Sequence, residues 1–309
     1  MKRKNYFYSV AMMALLATVN QGCSDEMEQA VAEGPKPLEI AAVMDGYNEE
    51  NTKALITGTT FPASHVIGVK LLNSSGTAYD SKTYNNIKLT SSGTGSSQTW
   101  SLASTIYLSN TAGKLYAYSP YADNTDLTAI SMSTGSGLAT NVKDYMYATA
   151  ANVSQTATSA SLTMNHALVA VSVILKNGTS TGAGSVTSLK WACAGAGQAG
   201  TLNAQTGAIS SVTGGGSQFD AGLTSSATQS IRTSTTYTFL AVPTGTAGQP
   251  TFTVVMDGQT FTAKGANITM GKGKHYKYQL TMDGKTLTVS SVTVTAWSSQ
   301  TAVTVKPTF

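Results

Sequence analysis

Charged side chains are scarce in this sequence: they make up 11% of its 309 residues, against about a quarter in an ordinary soluble domain. Lys2, Arg3 and Lys4 precede an apolar stretch, and without them the chain holds 16 basic and 15 acidic residues, a net charge of +1. Proteins that bind nucleic acid need a basic surface patch. The sequence therefore argues against a nucleic-acid partner, even though the pI of the whole chain is about 8.9.

Histidine and cysteine are also rare, with three and two copies. His65, His166 and His275 lie far apart in the sequence, and none has Cys, Asp or Glu near it at the spacing of a metal site. The motifs HExxH and CxxC and the P-loop are missing. We therefore expect no catalytic residues, no metal site and no cofactor, and we predict that the protein is not an enzyme.

Two short segments resemble binding loops without meeting their requirements. Residues 195–200 (Gly-Ala-Gly-Gln-Ala-Gly) have the glycines of a dinucleotide loop, but no helical pattern and no acidic residue about 20 positions on follow them. Asp123, Asn124 and Asp126 could contact calcium, yet their segment lacks the glycine and the final Glu of a dedicated loop. We expect a solvated turn at the second segment and no cofactor at the first.

The sequence has no run of about 20 apolar residues that would span a membrane, and its apolar stretch at residues 6–19 is shorter. The basic residues before that stretch and Gly22 after it are typical of a secretory signal peptide over residues 1–22. Because Cys23 follows at once, we expect lipid on its thiol and a membrane anchor; an ordinary signal peptide with a coincidental cysteine is the alternative. Cys193 would then have no disulfide partner, and we expect it to be a small buried hydrophobe.

Glutamate is absent after Glu50, so the acidic side chains concentrate near the N-terminus. Residues 23–53 carry eight acidic and two basic side chains, whereas residues 54–309 carry seven acidic and 14 basic ones. This shift in composition indicates that residues 23–53 form an acidic leader, separate in function from the body of the chain.

Helical periodicity of useful length is absent, and short alternating apolar runs recur between clusters of Gly, Asn, Asp and Ser. The strands predicted from these runs cover residues 38–43, 66–72, 114–118, 167–176, 237–242, 251–256, 259–264, 275–282 and 286–297. Asp257-Gly258 predicts a tight hairpin, and the Gly- and Ser-rich residues 210–217 predict a flexible loop. The whole pattern predicts an all-β fold with two tandem antiparallel β-sandwich domains, at residues 54–160 and 161–309.

Several segments, each weak alone, follow one another in an order known from a family of surface proteins. They comprise a basic-Ala site, an Ile-Gly-Val strand, an aromatic Ala-Tyr-x-Pro-Tyr segment, an Asp-x-x-Tyr-Ala segment, a His-Ala-Leu segment, two later strands and a closing strand with Trp. They stand at Lys53-Ala54 and at residues 66–69, 115–121, 144–148, 162–168, 239–243, 273–278 and 292–297. In this order the chain resembles the fimbrillin-like lipoprotein pilins of Bacteroides-type bacteria, which build type V pili.

The resemblance implies two transthyretin-like sandwiches and a lipoprotein precursor that reaches the outer membrane with lipid on Cys23. A protease would cut between Lys53 and Ala54, and the first strand, residues 38–43, would leave with the lipid. A strand from a neighbouring pilin subunit, taken from residues 292–309, would fill the emptied groove by strand addition. Because such a contact is head-to-tail, it would extend into a fimbria.

The chain departs from the family pattern at two positions. Lys53 stands where the family often has Arg, and Asn20 stands where lipoprotein signals usually carry Leu. Residues 24–26 (Ser-Asp-Glu) resemble the acidic signal that sends such lipoproteins to the cell surface, and a merely solvated tether is the alternative.

Two other hypotheses stay open at this point. The chain could be a surface lipoprotein that is never cut and acts as a pilus anchor or a tip adhesin for host or bacterial ligands. It could instead be an enzyme or a glycan-binding lipoprotein, and glycan binding would need exposed aromatic side chains. Tyrosines that could supply them are Tyr116, Tyr118, Tyr121, Tyr145 and Tyr147, although core packing explains them more simply.

Overall fold

Strands make up nearly all of the regular structure in a computed structural model of the chain, which describes residues 34–44, 61–94, 97–123, 125–178, 184–223, 229–230, 235–283, 286–297 and 303–305. A 3-10 turn, Ala139–Asn141, accompanies the strands, and no α-helix occurs in these ranges. Nor do they hold any helix with the length and apolar character that crossing a membrane requires. The predicted all-β class is therefore confirmed.

Twenty-five strands follow one another along the described residues. The first ten are β1 (Lys36–Pro37), β2 (Glu39–Met44), β3 (Val66–Asn73), β4 (Tyr84–Ser92), β5 (Thr99–Leu102), β6 (Tyr107–Leu108), β7 (Gly113–Ser119), β8 (Ile130–Ser133), β9 (Met146–Val153) and β10 (Ser159–His166). The others are β11 (Val169–Asn177), β12 (Ser185–Ala192), β13 (Ala196–Gly197), β14 (Ala199–Asn203), β15 (Ala208–Thr213), β16 (Gln218–Asp220), β17 (Gln229–Ser230), β18 (Thr235–Pro243), β19 (Ala247–Gly248), β20 (Thr251–Met256), β21 (Gln259–Lys264), β22 (Ile268–Thr269), β23 (Lys274–Asp283), β24 (Thr286–Ala296) and β25 (Val303–Val305).

The earlier strands build a seven-stranded sheet in the order β2-β10-β9-β7-β3-β4-β5. Its neighbours are antiparallel except for β2 and β10, which run parallel. Because successive side chains of a strand point to opposite faces, alternating apolar residues gather on one face. They form a core that includes Ile67, Val69, Leu89, Leu115 and Met146.

The later strands build two further sheets around a core of their own. One has the order β13-β18-β11-β23-β24-β25, and the other has the order β16-β12-β20-β21 with β17 also paired to β12. Large aromatic side chains fill this core: Trp191 stacks on Phe219 with ring centroids 4.6 Å apart, and it meets Phe239 edge-on at 6.0 Å. Cys193 lies in the same core as a buried free thiol, as predicted.

Strands from both parts of the sequence meet in a three-stranded sheet of order β15-β14-β8. A third apolar cluster lies at this junction and includes Tyr118, Tyr147, Leu240 and Trp297. The described residues from Pro35 onward thus form one compact unit. The predicted division after residue 160 falls within β10, and the two-domain count stays a prediction.

The structure agrees with the turn predicted at Asp257-Gly258 and differs from the loop predicted at residues 210–217. Asp257 and Gly258 join β20 to β21 with φ of 49° and 75°, as the two central residues of a type I′ hairpin require. The predicted loop at residues 210–217 is wrong in its first half, because residues 210–213 belong to β15 and pair with β14. A bulge around Ser211, whose φ is 50°, lets this Ser-rich segment stay in the ladder.

Candidate assembly site

β2, which contains most of the predicted first strand (residues 38–43), is an amphipathic strand at the edge of the seven-stranded sheet. Its side chains alternate between buried and exposed positions along all six residues. Ile40, Ala42 and Met44 enter the core together with the preceding Leu38, whereas Val43 on the other face is 39% exposed. Burial of a large apolar side chain contributes on the order of 2 kcal/mol, so the sandwich holds this strand mainly through three side chains, those of Leu38, Ile40 and Met44.

β2 supplies most of the strand pairing of β10. Six residue pairs join β2 to residues 159–164 of β10 in parallel register. On its other side β10 pairs with β9 only through Asn165 and His166. Buried backbone N–H and C=O groups are costly when unpaired. Loss of β2 would therefore expose both an apolar groove and most of the backbone of β10.

The chain reaches β2 by crossing from another small sheet. β1 pairs with β6, and the N–H of Leu38 then donates to the carbonyl of Ile106 at 2.9 Å. One residue later, the N–H of Glu39 donates to the carbonyl of Thr158 at 2.8 Å. The strand is thus held at its start by two different neighbours and along its length by β10.

A groove of about 500 Å³ lies beside β2, between this strand and β5. We call it the seam groove. β2 and β5 are the two outer strands of the seven-stranded sheet, and each has one paired neighbour within it. Residues 38–41 form one wall of the groove, and Gln98, Trp100 and Leu102 form the other.

Two wall residues of the seam groove, Gln98 and Trp100, also contact Phe61, the first described residue after β2. The N–H of Phe61 donates to Oε1 of Gln98 at 3.3 Å, and Nε2 of Gln98 donates to the carbonyl of Phe61 at 2.6 Å. The Trp100 ring meets the Phe61 ring edge-on at 5.4 Å. The same wall therefore faces β2, which precedes the predicted cleavage site, across the groove, and it contacts Phe61, which follows that site.

The predicted lipid site Cys23 and the predicted cleavage pair Lys53 and Ala54 lie outside the described residues. They stay predictions. The described neighbours of the cleavage pair are Met44 at the end of β2 and Phe61, which begins the next described range.

A buried aromatic residue stands at the end of the last long strand, β24. Trp297 follows β24, is fully buried, and donates its backbone N–H to the carbonyl of Gly273 at 2.7 Å. Beyond it, β25 pairs with residues 292–294 of β24 and forms the outer strand of its sheet. β24 itself pairs with β23 along its whole length.

Trp297 belongs to a buried cluster that the sequence does not place together. Its indole stacks on the imidazole of His166 with ring centroids 4.0 Å apart. Nδ1 of His166 lies 2.9 Å from Oδ2 of Asp144, and both side chains are almost fully buried. A buried polar group is costly without a polar neighbour, and the imidazole of His166 is that neighbour for the Asp144 carboxyl group.

Lys272 ties three segments of the chain together beside this cluster. Its ammonium group lies 4.9 Å from the centre of the Tyr147 ring, and Nζ donates to the carbonyl of Gly207 at 2.5 Å. Gly207 has φ of 70°, and a Cβ atom there would lie 2.4 Å from the Tyr147 ring. Together these contacts fix the β14–β15 turn against β9.

His275 is buried in the six-stranded sheet in a polar contact of its own. Its Nε2 lies 2.7 Å from Oγ of Ser172, whose hydroxyl lies 2.8 Å from that of Thr238. Burial lowers the pKa of His275 to about 4, because desolvation disfavours the charged imidazole. The ring is inaccessible to solvent, which is unsuitable for a catalytic base.

The remaining polar candidates make structural contacts. His65 stacks on Phe61 and lies 2.8 Å from the hydroxyl of Ser119 through Nε2; burial lowers its pKa, against the opposing effect of the Asp144 carboxylate. Asp126 accepts the N–H of Thr128 in a turn. In the part of the chain described here, His, Cys, Asp and Glu form no group of three that could hold a metal ion.

The segments singled out as weak binding loops take other structures. In residues 195–200, Gly197 ends β13 and Gly200 lies within β14, and neither strand leads into a helix. Asp123 accepts a hydrogen bond from the hydroxyl of Tyr121 and lies 3.6 Å from Nζ of Lys88.

The tyrosines of the glycan hypothesis do not form an exposed platform. Tyr118 and Tyr147 are buried, and the hydroxyl oxygen of Tyr118 lies 2.8 Å from Oδ1 of Asn86 and 2.8 Å from the carbonyl oxygen of Ala122. Tyr116, Tyr121 and Tyr145 are half-buried. Core packing accounts for the first two.

Comparison with solved structures finds the same fold in proteins of Bacteroides and Parabacteroides species that are described as cell adhesion or fimbrial assembly proteins. A protein of Bacteroides uniformis described as a cell adhesion protein is 19% identical, with a TM-score of 0.65 over 85% of this chain and 98% of that one. A cell adhesion protein of Bacteroides ovatus is 16% identical, with a TM-score of 0.64 over 89% and 97%. A fimbrial assembly protein of Parabacteroides distasonis is 9% identical, with a TM-score of 0.51 over 87% and 98%.

Sequence comparison gives the family. None of the curated proteins compared with the chain is significantly similar to it in sequence. The profile of the fimbrillin-like family matches residues 52–297, from the predicted cleavage site to the buried Trp297. Since this match covers most of the 309 residues, the chain belongs to the fimbrillin-like family.

Proposed function

We propose that this chain is a structural pilin subunit of a cell-surface fimbria, made as a lipoprotein precursor and assembled by strand exchange. Membership of the fimbrillin-like family supports the pilin role, the place on a surface appendage and a role other than catalysis. Residues 1–22 would be the signal peptide, and lipid on Cys23 would hold the precursor at the outer membrane. After cleavage the subunit would consist of two sandwich domains, residues 54–160 and 161–309.

The seat of β2 is the observation that carries the proposal. This strand contributes side chains to the core and backbone pairs to β10, yet it has one paired neighbour in its sheet and precedes the predicted cleavage site. Cleavage after Lys53 would make β2 part of a separate acidic peptide. The subunit would then hold it by non-covalent contacts alone, and a strand of another subunit could replace it.

The donor strand was predicted within residues 292–309. We propose that it begins after Trp297, at residue 298. β24 pairs with β23 and β25, and its Leu287, Val289 and Val292 are buried in the core. Its withdrawal would dismantle the sheet. β25 is the outer strand with three registered pairs, so the residues from 298 onward can leave at a smaller cost.

Mass spectrometry of material sheared from the cell surface tests this function. We expect polymers whose subunits begin at Ala54. A Lys53→Ala variant should keep the leader and form no polymers, whereas Lys36→Ala in the same leader should be cut normally. Polymers that still contain residues 23–53 would overturn the proposed assembly route.

A separate variant tests the lipid anchor. Cys23→Ala should prevent lipid attachment and stop the chain from reaching the surface by the lipoprotein route. If the variant is exported and displayed unchanged, the lipoprotein part of the proposal fails.

A second candidate is an uncleaved lipoprotein that acts as a pilus anchor or a tip adhesin. It is favoured by Lys53, which stands where the family often has Arg. In that case the sheared fimbriae would lack this chain or contain it in small amount, with lipid still on Cys23. The same mass spectrum therefore separates the two candidates.

A further inference from the structure

The seam groove lies between two strand edges that make no ladder with each other. β2 is paired with β10 and β5 with β4, and the two outer strands face each other across the groove without registered pairs between them. Unpaired strand edges are templates for the addition of another chain. The groove is thus open while β2 is still in its seat.

The groove offers both apolar contacts and one negative charge. Glu39 lines one wall, and the half-buried Trp100 and Leu102 line the other. Leu38, Ile40 and Leu89 also line the groove but lie mostly in the core. Trp100 is half-buried, whereas Trp191 and Trp297 are fully buried. A volume of about 500 Å³ lies within the range of pockets that bind small molecules, so it has room for a few residues and not for a whole strand.

We propose that the seam groove is the first docking site for the C-terminal segment, residues 298–309, of a second copy of this chain. This inference rests on the proposed function and adds a step to it. The incoming segment would bind beside the seated β2 before β2 is lost. Replacement would then proceed from this contact, so that the apolar core is never left open to water.

The choice of occupant follows from the composition and place of the segment. It has 12 residues, enough to span at most about 40 Å when extended, and it follows the fixed residue Trp297. Val303 and Val305 alternate with Thr304 and Lys306, a pattern that gives an apolar face for the groove and a positive charge for Glu39. Among the described strands, β25, which includes Val303 and Val305, pairs with β24 alone.

A synthetic peptide with the sequence of residues 298–309 tests the docking step on the full chain carrying Lys53→Ala, purified in detergent. We expect the peptide to shift the emission of Trp100 and to protect it from acrylamide, in a saturable manner. The peptide with Val303→Asp and Val305→Asp should bind at least about tenfold more weakly, since it loses its apolar face.

Two variants of β5 provide a matched pair. Thr99 and Ser101 are both exposed, but Thr99 lines the groove and Ser101 is not among its lining residues. Thr99→Lys should weaken binding about tenfold by opposing Lys306, whereas Ser101→Lys should leave the affinity within about twofold. Equal affinities for the two variants would mean that the peptide binds elsewhere, for example on β24, and would overturn the inference.

The inference and the proposed function fail in different ways. If the uncut chain binds no peptide while the chain cut after Lys53 does, docking beside β2 is wrong and strand exchange stands. If Trp100 is protected from acrylamide without peptide, a segment of the same chain occupies the groove, and the inference is again overturned. If neither the cut nor the uncut chain binds the peptide, the donor role of residues 298–309 fails as well.

Discussion

The imidazole of His166 lies flat against the indole of Trp297, with ring centroids 4.0 Å apart and an angle of 4° between the planes. His166 ends β10, the strand that carries β2. Trp297 follows β24, the strand that carries β25. One buried contact therefore joins β10, which pairs with β2, to the end of β24, which pairs with β25.

Removal of the Trp297 ring should destabilise the whole fold. Trp297→Ala should lower the free energy of unfolding by about 3–5 kcal/mol, as expected for truncation of a fully buried aromatic side chain. Trp297→Phe should cost less because a ring can still stack on His166. Urea denaturation of the full chain followed by circular dichroism measures both losses, and Trp100→Ala at a half-buried position is the control. Equal losses for Trp297→Ala and Trp100→Ala would contradict this account.

Tyr118 leaves no room for a side chain larger than glycine at position 68, in the Ile-Gly-Val strand. A Cβ atom at Gly68 would lie 2.0 Å from Cε1 of Tyr118, which faces it in the neighbouring strand β7. Gly68→Ala should therefore destabilise the chain by about 1–3 kcal/mol, the usual cost of overpacking. Thermal unfolding measures the effect.

Gly137→Ala is the matched control for Gly68→Ala, since a Cβ atom at Gly137 would meet nothing within 4 Å. It should leave the melting temperature nearly unchanged. Adding Tyr118→Ala to Gly68→Ala should relieve the clash, so that the loss in the double variant is smaller than the sum of the single losses. Strict additivity would show that Tyr118 is not the cause.

The alternating apolar runs predicted nine of the 25 strands, because one buried face leaves a period-2 pattern in the sequence. β2 illustrates this: Leu38, Ile40 and Ala42 are apolar and buried. Its parallel pairing with β10 was not predictable, because the pattern of one strand carries no information about its neighbour. For the same reason the sequence did not show that β2 and β5 lie on either side of a groove.

The buried cluster was beyond reach of the sequence for a similar reason. Asp144 and His166 belong to two of the family-like segments, yet 22 positions separate them, and Trp297 is far from both. The sequence shows no acidic residue near His166 at the spacing of a metal site, and it gives no indication of the contact with Asp144. Gln98 and Trp100, which hold Phe61, were missed because they form no motif; nothing short of the strand pairing would have found them.

The fold should lose stability in mild acid through His275. Its pKa is about 4 in the fold and about 6.5 when exposed, so the unfolded chain binds a proton at higher pH than the folded chain does. The stabilisation is complete above pH 6.5, declines as the pH falls from about 6.5 to 4, and amounts to about 3 kcal/mol at most. Urea midpoints measured between pH 7.5 and 4 should follow this decline.

His275→Gln should flatten the pH dependence attributed to His275. The variant keeps a polar group near Ser172 but cannot take up a proton, and it should be less stable than the parent at pH 7.5. The difference between the two proteins should narrow towards pH 4. A parallel decline in both proteins would assign the acid sensitivity to other groups, such as His65, whose pKa burial also lowers.

An aspartate on the inner face of β2 should weaken the binding of this strand to the core and to β10, whereas an aspartate on the outer face should not. Ile40 is buried and Val43 is 39% exposed on the same strand, so Ile40→Asp and Val43→Asp add the same charge to opposite faces. Burying an unpaired carboxylate is costly, and Ile40→Asp should therefore favour release of β2 and leave the backbone of residues 159–164 without partners. Hydrogen exchange followed by mass spectrometry should then show faster exchange at β10 in Ile40→Asp alone, with β23 unchanged in both variants. Unchanged protection of β10 in Ile40→Asp would mean that β2 is not what shields this strand.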